Sequence, residues 1–530
     1  MQDNLQNEAG SNSDAERLRR ERLRAATESR VDHNPQVKSL AVKPGGACFA
    51  IKAVRLTGHD AFRFKPQGYE GLIGRCASAA DIADAVNRIN KHYQRQGFIT
   101  TRAYLPEQDI SSGELEIVIV PGRVEGFLYG DGRQADSRIR AAFPNDRGDL
   151  LNLRHLEQGL DNYNAPSSAK AKFQLVPGER TGGSFVQVLA EDSRRVYARL
   201  LANNDGFKST GVVKATGTLG IDNLLELNDQ ISVSAATTPF DDREKRYSDT
   251  ISVSAAIPYD NWSFGLDAGY SRYHFILDGI NQSYPVNGHS HHVTFSAERL
   301  LSRDATSKIF AYGDLKLSRS RSFIDSFEIE SQRRHLTIGS LGLRAEHLFG
   351  ESRLEWDIGS KFGINAFDSH VLDKSAVDPE FRLVYGQLTY NRPLLDDKLV
   401  YKGILSGQWS NDELPGSESF ISGGWSTVRG FHDDNMYGPS GINLRNTLEW
   451  KARDGPYFDV RLRSGLDIGY VKPGRLRGWD QNHIIGASLG ADIVFSDGPR
   501  LTLDIAHALD RPSDFDAADT LFYAGIGFRF

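Results

Sequence analysis

From about residue 195 to the C-terminus the chain follows one rule: apolar and polar side chains alternate with a period of two, in short runs broken by Gly, Asp, Asn and Ser. RLEWDIGSKFGI places Leu354, Trp356, Ile358, Phe362 and Ile364 on one side. DVRLRSGLDIGYV does the same with Val460, Leu462, Leu466, Ile468 and Tyr470. LRNTLEW follows with Leu444, Leu448 and Trp450, and TLFYAGIGFRF with Phe522, Ala524, Ile526, Phe528 and Phe530. Successive side chains of a strand point to opposite faces, so each run reads as a strand with one apolar and one polar face. The polar phase is charged: Glu355, Asp357 and Lys361 on one run, Arg461, Arg463 and Asp467 on another. A wet bore inside an apolar, aromatic-rich outer wall accounts for that split, against the competing soluble sandwich or propeller. Strands of ~9–11 residues with turns of similar length give on the order of sixteen in this region.

Average composition conceals the pattern. Of 530 residues 39% are hydrophobic and 25% charged, and the mean hydropathy is −0.43. No run approaches the ~18–20 apolar residues of a transmembrane helix, which excludes a helical membrane protein but not a barrel whose strands average out as hydrophilic. With a formal charge of −6 and no basic stripe, nucleic acid is excluded as the main partner. The two cysteines, Cys48 and Cys76, lie close in sequence. They point to one disulfide in an oxidising compartment, with two buried thiols as the alternative. Such a bridge stabilises by roughly 3 kcal/mol.

Ahead of the alternating region the organisation differs. Residues 1–13 are polar and read as a disordered start. Residues 14–29 are rich in helix formers, with Arg17, Arg19, Arg20, Arg22 and Arg24 and a thin apolar face of Leu18, Leu23, Ala25 and Ala26. A helix polar nearly all round is solvated or sits in a polar cavity. Residues 30–46, with Pro35, Pro44 and Gly45-Gly46, read as a linker. The first 30 residues show no apolar core of a signal peptide, so either the protein is cytoplasmic or the numbering begins at a mature chain, and the rest of the sequence favours the second.

From Ala47 the pattern is α/β. CFAIKAVRLTG reads as a strand, and Ser78 with Asp81 forms a capping box before a helix whose apolar face is Ile82, Val86, Ile89 and Tyr93. Gly97 is placed to stop that helix, and strands FITTRAYL and ELEIVIV follow around a turn at Ser111–Gly113. A second unit from Arg123 carries strand VEGFLY, helices SRIRAAF and NLRHLEQGLDNY, and strands AKFQLVP and SFVQVLA. Two copies of one small module stand in tandem, over 47–121 and 122–194.

At this point the chain resembles the outer-membrane transporters of two-partner secretion, the TpsB family within the Omp85 superfamily of POTRA-plus-barrel proteins. YQRQGFITTRAYLPEQDISSGELEIVIVPGRV is similar to the end of the family's first POTRA domain, and LLNLRHLEQGLDNYN with LVPGERTGGSFVQV to its second. ISGGWSTVRGF followed by GINLRNTLEW resembles the sixth extracellular loop, with Val428, Arg429, Gly430 and Phe431 as its Val-Arg-Gly-aromatic signature. Phe431 stands where many members have Tyr. LDIGYV resembles the strand whose Asp, here Asp467, meets that Arg, and Phe530 matches the aromatic end that such barrels present to their assembly machinery.

The resemblance implies a mainly β fold: a 16-stranded antiparallel transmembrane barrel over 195–530, two POTRA domains and an N-terminal plug helix at 14–29, which includes Arg17, Arg20 and Arg24. It implies a loop around 411–442 folded into the barrel. It further implies a monomer in the outer membrane of a Gram-negative bacterium with its POTRA domains in the periplasm, and no cofactor. The implied activity is export of one large unfolded TpsA-type partner, an adhesin, cytolysin or contact-dependent toxin. POTRA sheet edges capture it by strand addition, the plug helix leaves, and folding outside prevents return.

The first candidate pair is Arg429 and Asp467. Alternation places Asp467 in phase with Arg461 and Arg463, away from the apolar face, where an inward loop delivers Arg429 for bidentate pairing. In a wet lumen such a pair is worth ~1 kcal/mol or less and serves to hold the loop. Leu153, Leu156 and Leu160 read as core rather than groove. Enzymatic signals are poor. The nucleophile-elbow match from Gly486 to Gly490 lies inside an alternating strand rather than a strand–turn–helix. His289, His291 and His292 read as a polar loop without a second ligand cluster. A barrel insertase is the alternative function, and a passive porin a third. Two POTRA units with the LEQGLDNYN and PGERTGG motifs favour secretion.

Overall fold

A computed structural model of the chain describes residues 47–371, 378–474, 479–496, 498–515 and 520–530. The expected helix at 14–29, with Arg17, Arg20 and Arg24, and the linker at 30–46 lie outside the described residues.

The first module contains β1 (Cys48–Ile51), β2 (Ala53–Thr57), β3 (Arg75–Ser78), α1 (Ala79–Arg95), β4 (Arg102–Tyr104) and β5 (Glu114–Val120). The run CFAIKAVRLTG is not one strand. It divides at Lys52, because the Lys52 and Ala53 N–H groups both donate to the Gly113 carbonyl, at 2.7 and 3.2 Å. Thereby β1 pairs antiparallel with β3, while β2 joins a separate sheet, parallel to β5. The strand expected over FITTRAYL shortens to the three residues of β4. Helix α1 opens on the capping box: Ser78 Oγ accepts from the Asp81 N–H at 3.3 Å, and the Asp81 carboxylate accepts from the Ser78 N–H at 2.9 Å. It closes before Gly97, whose φ of 87° is a left-handed value that glycine adopts without strain. Ile82, Val86, Ile89 and Tyr93 pack on Ile51, Leu115, Ile117 and Ile119. A Cys48–Cys76 disulfide, with Cα atoms 5.3 Å apart, joins β1 to β3.

The second module repeats the plan with β6 (Arg123–Tyr129), α2 (Ser137–Ala142), α3 (Leu153–Tyr163), β7 (Ala169–Pro177) and β8 (Gly183–Asp192), in sheet order β6-β8-β7. Leu153, Leu156 and Leu160 are buried in its core with Phe173, Val186 and Val188. The PGERTGG turn is built around Glu125 of β6, whose carboxylate accepts the N–H groups of Glu179 and Arg180 at 2.9 and 2.7 Å. A Cβ on Gly178 or Gly183 would overlap that carboxylate, which is why both positions are glycine.

Among the described residues, eighteen antiparallel segments close into a barrel. Two of them, Phe327–Glu328 and His370–Val371, are two-residue pairings, leaving sixteen long strands from Val196–Asn203 to Thr520–Arg529. The last strand closes on the first, from Gly525 opposite Asn203 to Arg529 opposite Arg199. Leu444, Trp450, Leu466, Ile468, Tyr470, Phe522 and Phe528 are exposed on the outer wall. Their alternating neighbours point inward, where Arg344 meets Glu298 at 2.6 Å and Arg463 meets Asp504 at 2.7 Å. So large a continuous apolar outside has lipid as its solvent.

The GHSHH segment is a correction. Instead of a loop it lies within the long strand Ser283–Arg303, where the His289 ring stacks between Tyr270 and Phe323. His292 meets Asp267 at 3.0 Å. Among the described residues no group of His, Cys, Asp or Glu could hold a metal.

The second module is seated on short turns at one end of the barrel. Asn162 Nδ2 donates to the carbonyls of Ala142 and Asp260, at 2.6 and 2.7 Å, and the Asp260 N–H donates to Ala141 at 2.9 Å. Beside them Arg303 reaches Asp161 at 2.6 Å and Glu157 at 3.3 Å, and Lys308 reaches Asp161 at 2.7 Å. This charged cluster is almost entirely buried between module and barrel.

Candidate functional site: the inward-folded loop

The chain between strands Leu399–Trp409 and Ser440–Arg453 turns back into the bore, carrying a hairpin of Phe420–Ser422 paired with Met436–Gly438. Its centre is Arg429. The Arg429 Nε and Nη2 donate to the two carboxylate oxygens of Asp467 at 2.6 and 2.7 Å. The Arg429 backbone N–H adds a third bond to Asp467 at 3.1 Å. Nη2 also donates to the Asn446 carbonyl at 2.7 Å and to Thr447 Oγ1 at 3.2 Å.

The expectation of a wet, weak pair does not hold. The side chains of Arg429 and Asp467 are 2% and 0% exposed, because the loop itself seals them against the wall. Removing one partner of such a buried pair leaves an uncompensated charge, at a cost of about 3–5 kcal/mol.

The wall is shaped to receive the loop. A side chain at Gly465 would overlap the Arg429 guanidinium, one at Gly486 the Arg429 carbonyl, and one at Gly469 the hydroxyl of Ser422. Ser422 in turn donates to Asn443 Oδ1 at 2.6 Å, and Asn443 Nδ2 to the Ile421 carbonyl at 2.9 Å. Gly430 has φ of 102° and lies flat on the backbone of His507, where no other residue fits. Val428, Phe431 and Met436 join Val471, Ile484 and Phe515 in a small apolar core inside the otherwise polar bore. Phe431 is fully buried there, a place for an aromatic ring without a hydroxyl.

Sequence reasoning missed a second anchor. Glu418, 2% exposed, meets Lys361 at 3.0 Å and Lys316 at 3.5 Å on two other strands. A cavity remains between loop and wall, lined by seven carboxylates against four lysine or arginine side chains. Phe530 lies at the other end of the molecule's design. Its ring is exposed on the outer wall, and its N–H donates to the Ala198 carbonyl of the first strand at 2.9 Å. Val428, Arg429, Gly430, Phe431 and Asp467 thus come together, whereas Phe530 and the Cys48–Cys76 bridge lie apart from them. The loop occupies part of the bore and is held there by two buried ionic anchors, at Asp467 and at Glu418.

The family model for haemolysin secretion/activation proteins ShlB/FhaC/HecB matches residues 182–493. A ShlB-type POTRA domain matches 49–122, and a second POTRA domain 123–177. The outer membrane transporter CdiB of Dickeya dadantii (strain 3937) is 30% identical over 80% of this chain and 77% of its own. The hemolysin transporter protein HpmB of Proteus mirabilis is 26% identical over 87% of this chain and 82% of its own. Among solved structures, CdiB from Escherichia coli superposes with a TM-score of 0.89 at 24% identity, covering 99% of this chain and 98% of that one. CdiB from Acinetobacter baumannii gives 0.83 at 21% identity, covering 99% of both.

Proposed function

The chain belongs to the ShlB/FhaC/HecB family and is an outer-membrane transporter, not an enzyme, of a TpsA-type secreted partner; on that premise we propose that the partner crosses unfolded through the bore now occupied by the loop. The observation that carries this reading is a closed barrel whose lumen is obstructed by a loop held on a buried ion pair. A passive pore has no use for such a closure.

The partner is a large adhesin, cytolysin or contact-dependent toxin. Its unfolded chain is captured at the open sheet edges of the two modules, β2 and β4 in the first and β6 and β7 in the second. The arginine-rich segment 14–29 acts as a plug, its Arg17, Arg20 and Arg24 complementing the acid-rich cavity. Phe530 serves the machinery that inserts this barrel, and the transporter works as a monomer. The alternative, insertion of other barrels, has less support, because the family model that residues 182–493 match is that of haemolysin secretion/activation proteins.

Co-expression with the secreted partner tests the reading. Wild type should release the partner to the medium, and its loss should leave other outer-membrane barrels undiminished. Arg429→Ala should still give a heat-modifiable barrel yet export markedly less, and Arg429→Lys, which cannot bridge both Asp467 oxygens, should not restore export. Normal export by Arg429→Ala would remove the loop from the mechanism.

A further inference from the structure

We infer that the tip of the inward loop, residues 431–433, is a clasp that fastens the barrel's closing seam at the end away from the modules. Among the described residues, the seam between Val196–Asn203 and Thr520–Arg529 has five residue pairs, whereas the other neighbouring long strands share eight to seventeen. Its ladder ends at Gly525 opposite Asn203.

Beyond that point Asn204 takes over. Its N–H donates to the Ala524 carbonyl at 3.2 Å and its Nδ2 to the Phe522 carbonyl at 2.7 Å, while its Oδ1 accepts from the Ala524 N–H at 2.7 Å. One side chain thus mimics the edge of a strand.

The loop tip grips both sides of this junction. Toward the first strand, His432 Nε2 lies 3.2 Å from the Asn204 carbonyl, and Asp433 accepts the Lys208 N–H at 2.8 Å with Lys208 Nζ at 3.3 Å. Toward the last strand, the buried Tyr523 hydroxyl donates to the Phe431 carbonyl at 2.9 Å, and the Trp425 ring packs on Tyr523 at 4.7 Å between centroids. His432 Nδ1 and Asp433 lie 3.0 Å apart, coupling the two grips. Because Arg429, two residues before Phe431, is fixed to Asp467 on another strand, the clasp is held from the opposite side of its own loop.

The consequence is mechanical. The loop tip cannot leave the bore without unfastening the seam, which then keeps its five ladder pairs and, at the end near the modules, the two backbone bonds between Phe530 and Ala198. His432, Asp433, Asn204 and Tyr523 are therefore positioning residues for closure of the wall. This holds whatever the partner is, so its test needs no secretion.

The test uses the full chain in lipid nanodiscs. Nitroxides are placed on cysteines introduced at Ala202 and Ile526, which oppose each other across the seam, while the two native cysteines stay bonded to each other. A second pair at Leu444 and Ile468, neighbours on two other strands, serves as the control. The triple variant Asn204→Ala, His432→Ala, Asp433→Asn should add a longer-distance population at the seam and leave the control unchanged. Arg429→Ala should shift the seam the same way with Asn204 intact. If the triple variant does not fold, Tyr523→Phe and Asp433→Asn, each removing one grip, are read by the same shift. A seam distribution identical to wild type, or broadening at seam and control together, would overturn the clasp.

Discussion

Glu125 shows at the scale of one side chain how a short turn motif is enforced. The N–H groups of Glu179 and then Arg180 bond its carboxylate and hold it below the ordinary glutamate value of 4.5. A carboxyl depressed in the folded state stabilises above its unfolded value, and that contribution is lost as pH falls through the folded value. The Glu179 and Arg180 amides should therefore lose hydrogen-exchange protection, after division by intrinsic rates, as pH drops below 4.5. In Glu125→Gln protection should begin lower and stay flat over the same range; a slope like the wild type's would show that the turn draws its pH dependence from elsewhere. Arg429 teaches the complementary lesson. Alternation was enough to aim Asp467 inward, but the seal over the pair depends on Gly465, Gly469 and Gly486, whose role appears only when loop and wall are seen together.

Single elements differ in how openly the sequence declares them. The barrel strands are legible because lipid outside and water inside impose opposite demands on alternate residues, as Leu466 and Asp467 illustrate. CFAIKAVRLTG misleads because its break at Lys52 is made by the carbonyl of Gly113, distant in sequence but adjacent in the fold, not by any local breaker. GHSHH misleads because histidines look like loop residues, yet their rings stack well on a strand beside Tyr270 and Phe323. Glu418 was invisible for a simpler reason: its lysines lie 57 and 102 positions away. The plug role proposed for segment 14–29 rests on its five arginines, which outnumber its four acids by one and match in sign a cavity richer in carboxylates than in cations. Deleting residues 1–30 should raise single-channel conductance in planar bilayers, and unchanged conductance would count against a plug.

For the whole molecule, the decisive joint is the charged cluster between α3 and the barrel. Its acids, Glu157 and Asp161, are buried on α3, and their partners Arg303 and Lys308 lie more than a hundred positions away, so the sequence conceals that this face is covered. Asp161→Ala leaves Arg303 and Lys308 buried without the carboxylate they share, at a cost of about 3–5 kcal/mol. Spin-label distances from the second module to the barrel should broaden in that variant while the barrel stays heat-modifiable; an unchanged distribution would mean that the bonds of the Asn162 side-chain amide and the Asp260 backbone suffice. The glycine berth has a consequence of its own for transit. On the proposed reading, withdrawal of the loop uncovers a strip that is smooth main chain at Gly465, Gly469 and Gly486 and polar at Asp467 and Asn443, so a polypeptide sliding past would meet little side-chain bulk there and would exchange places with the bonds the lid had made.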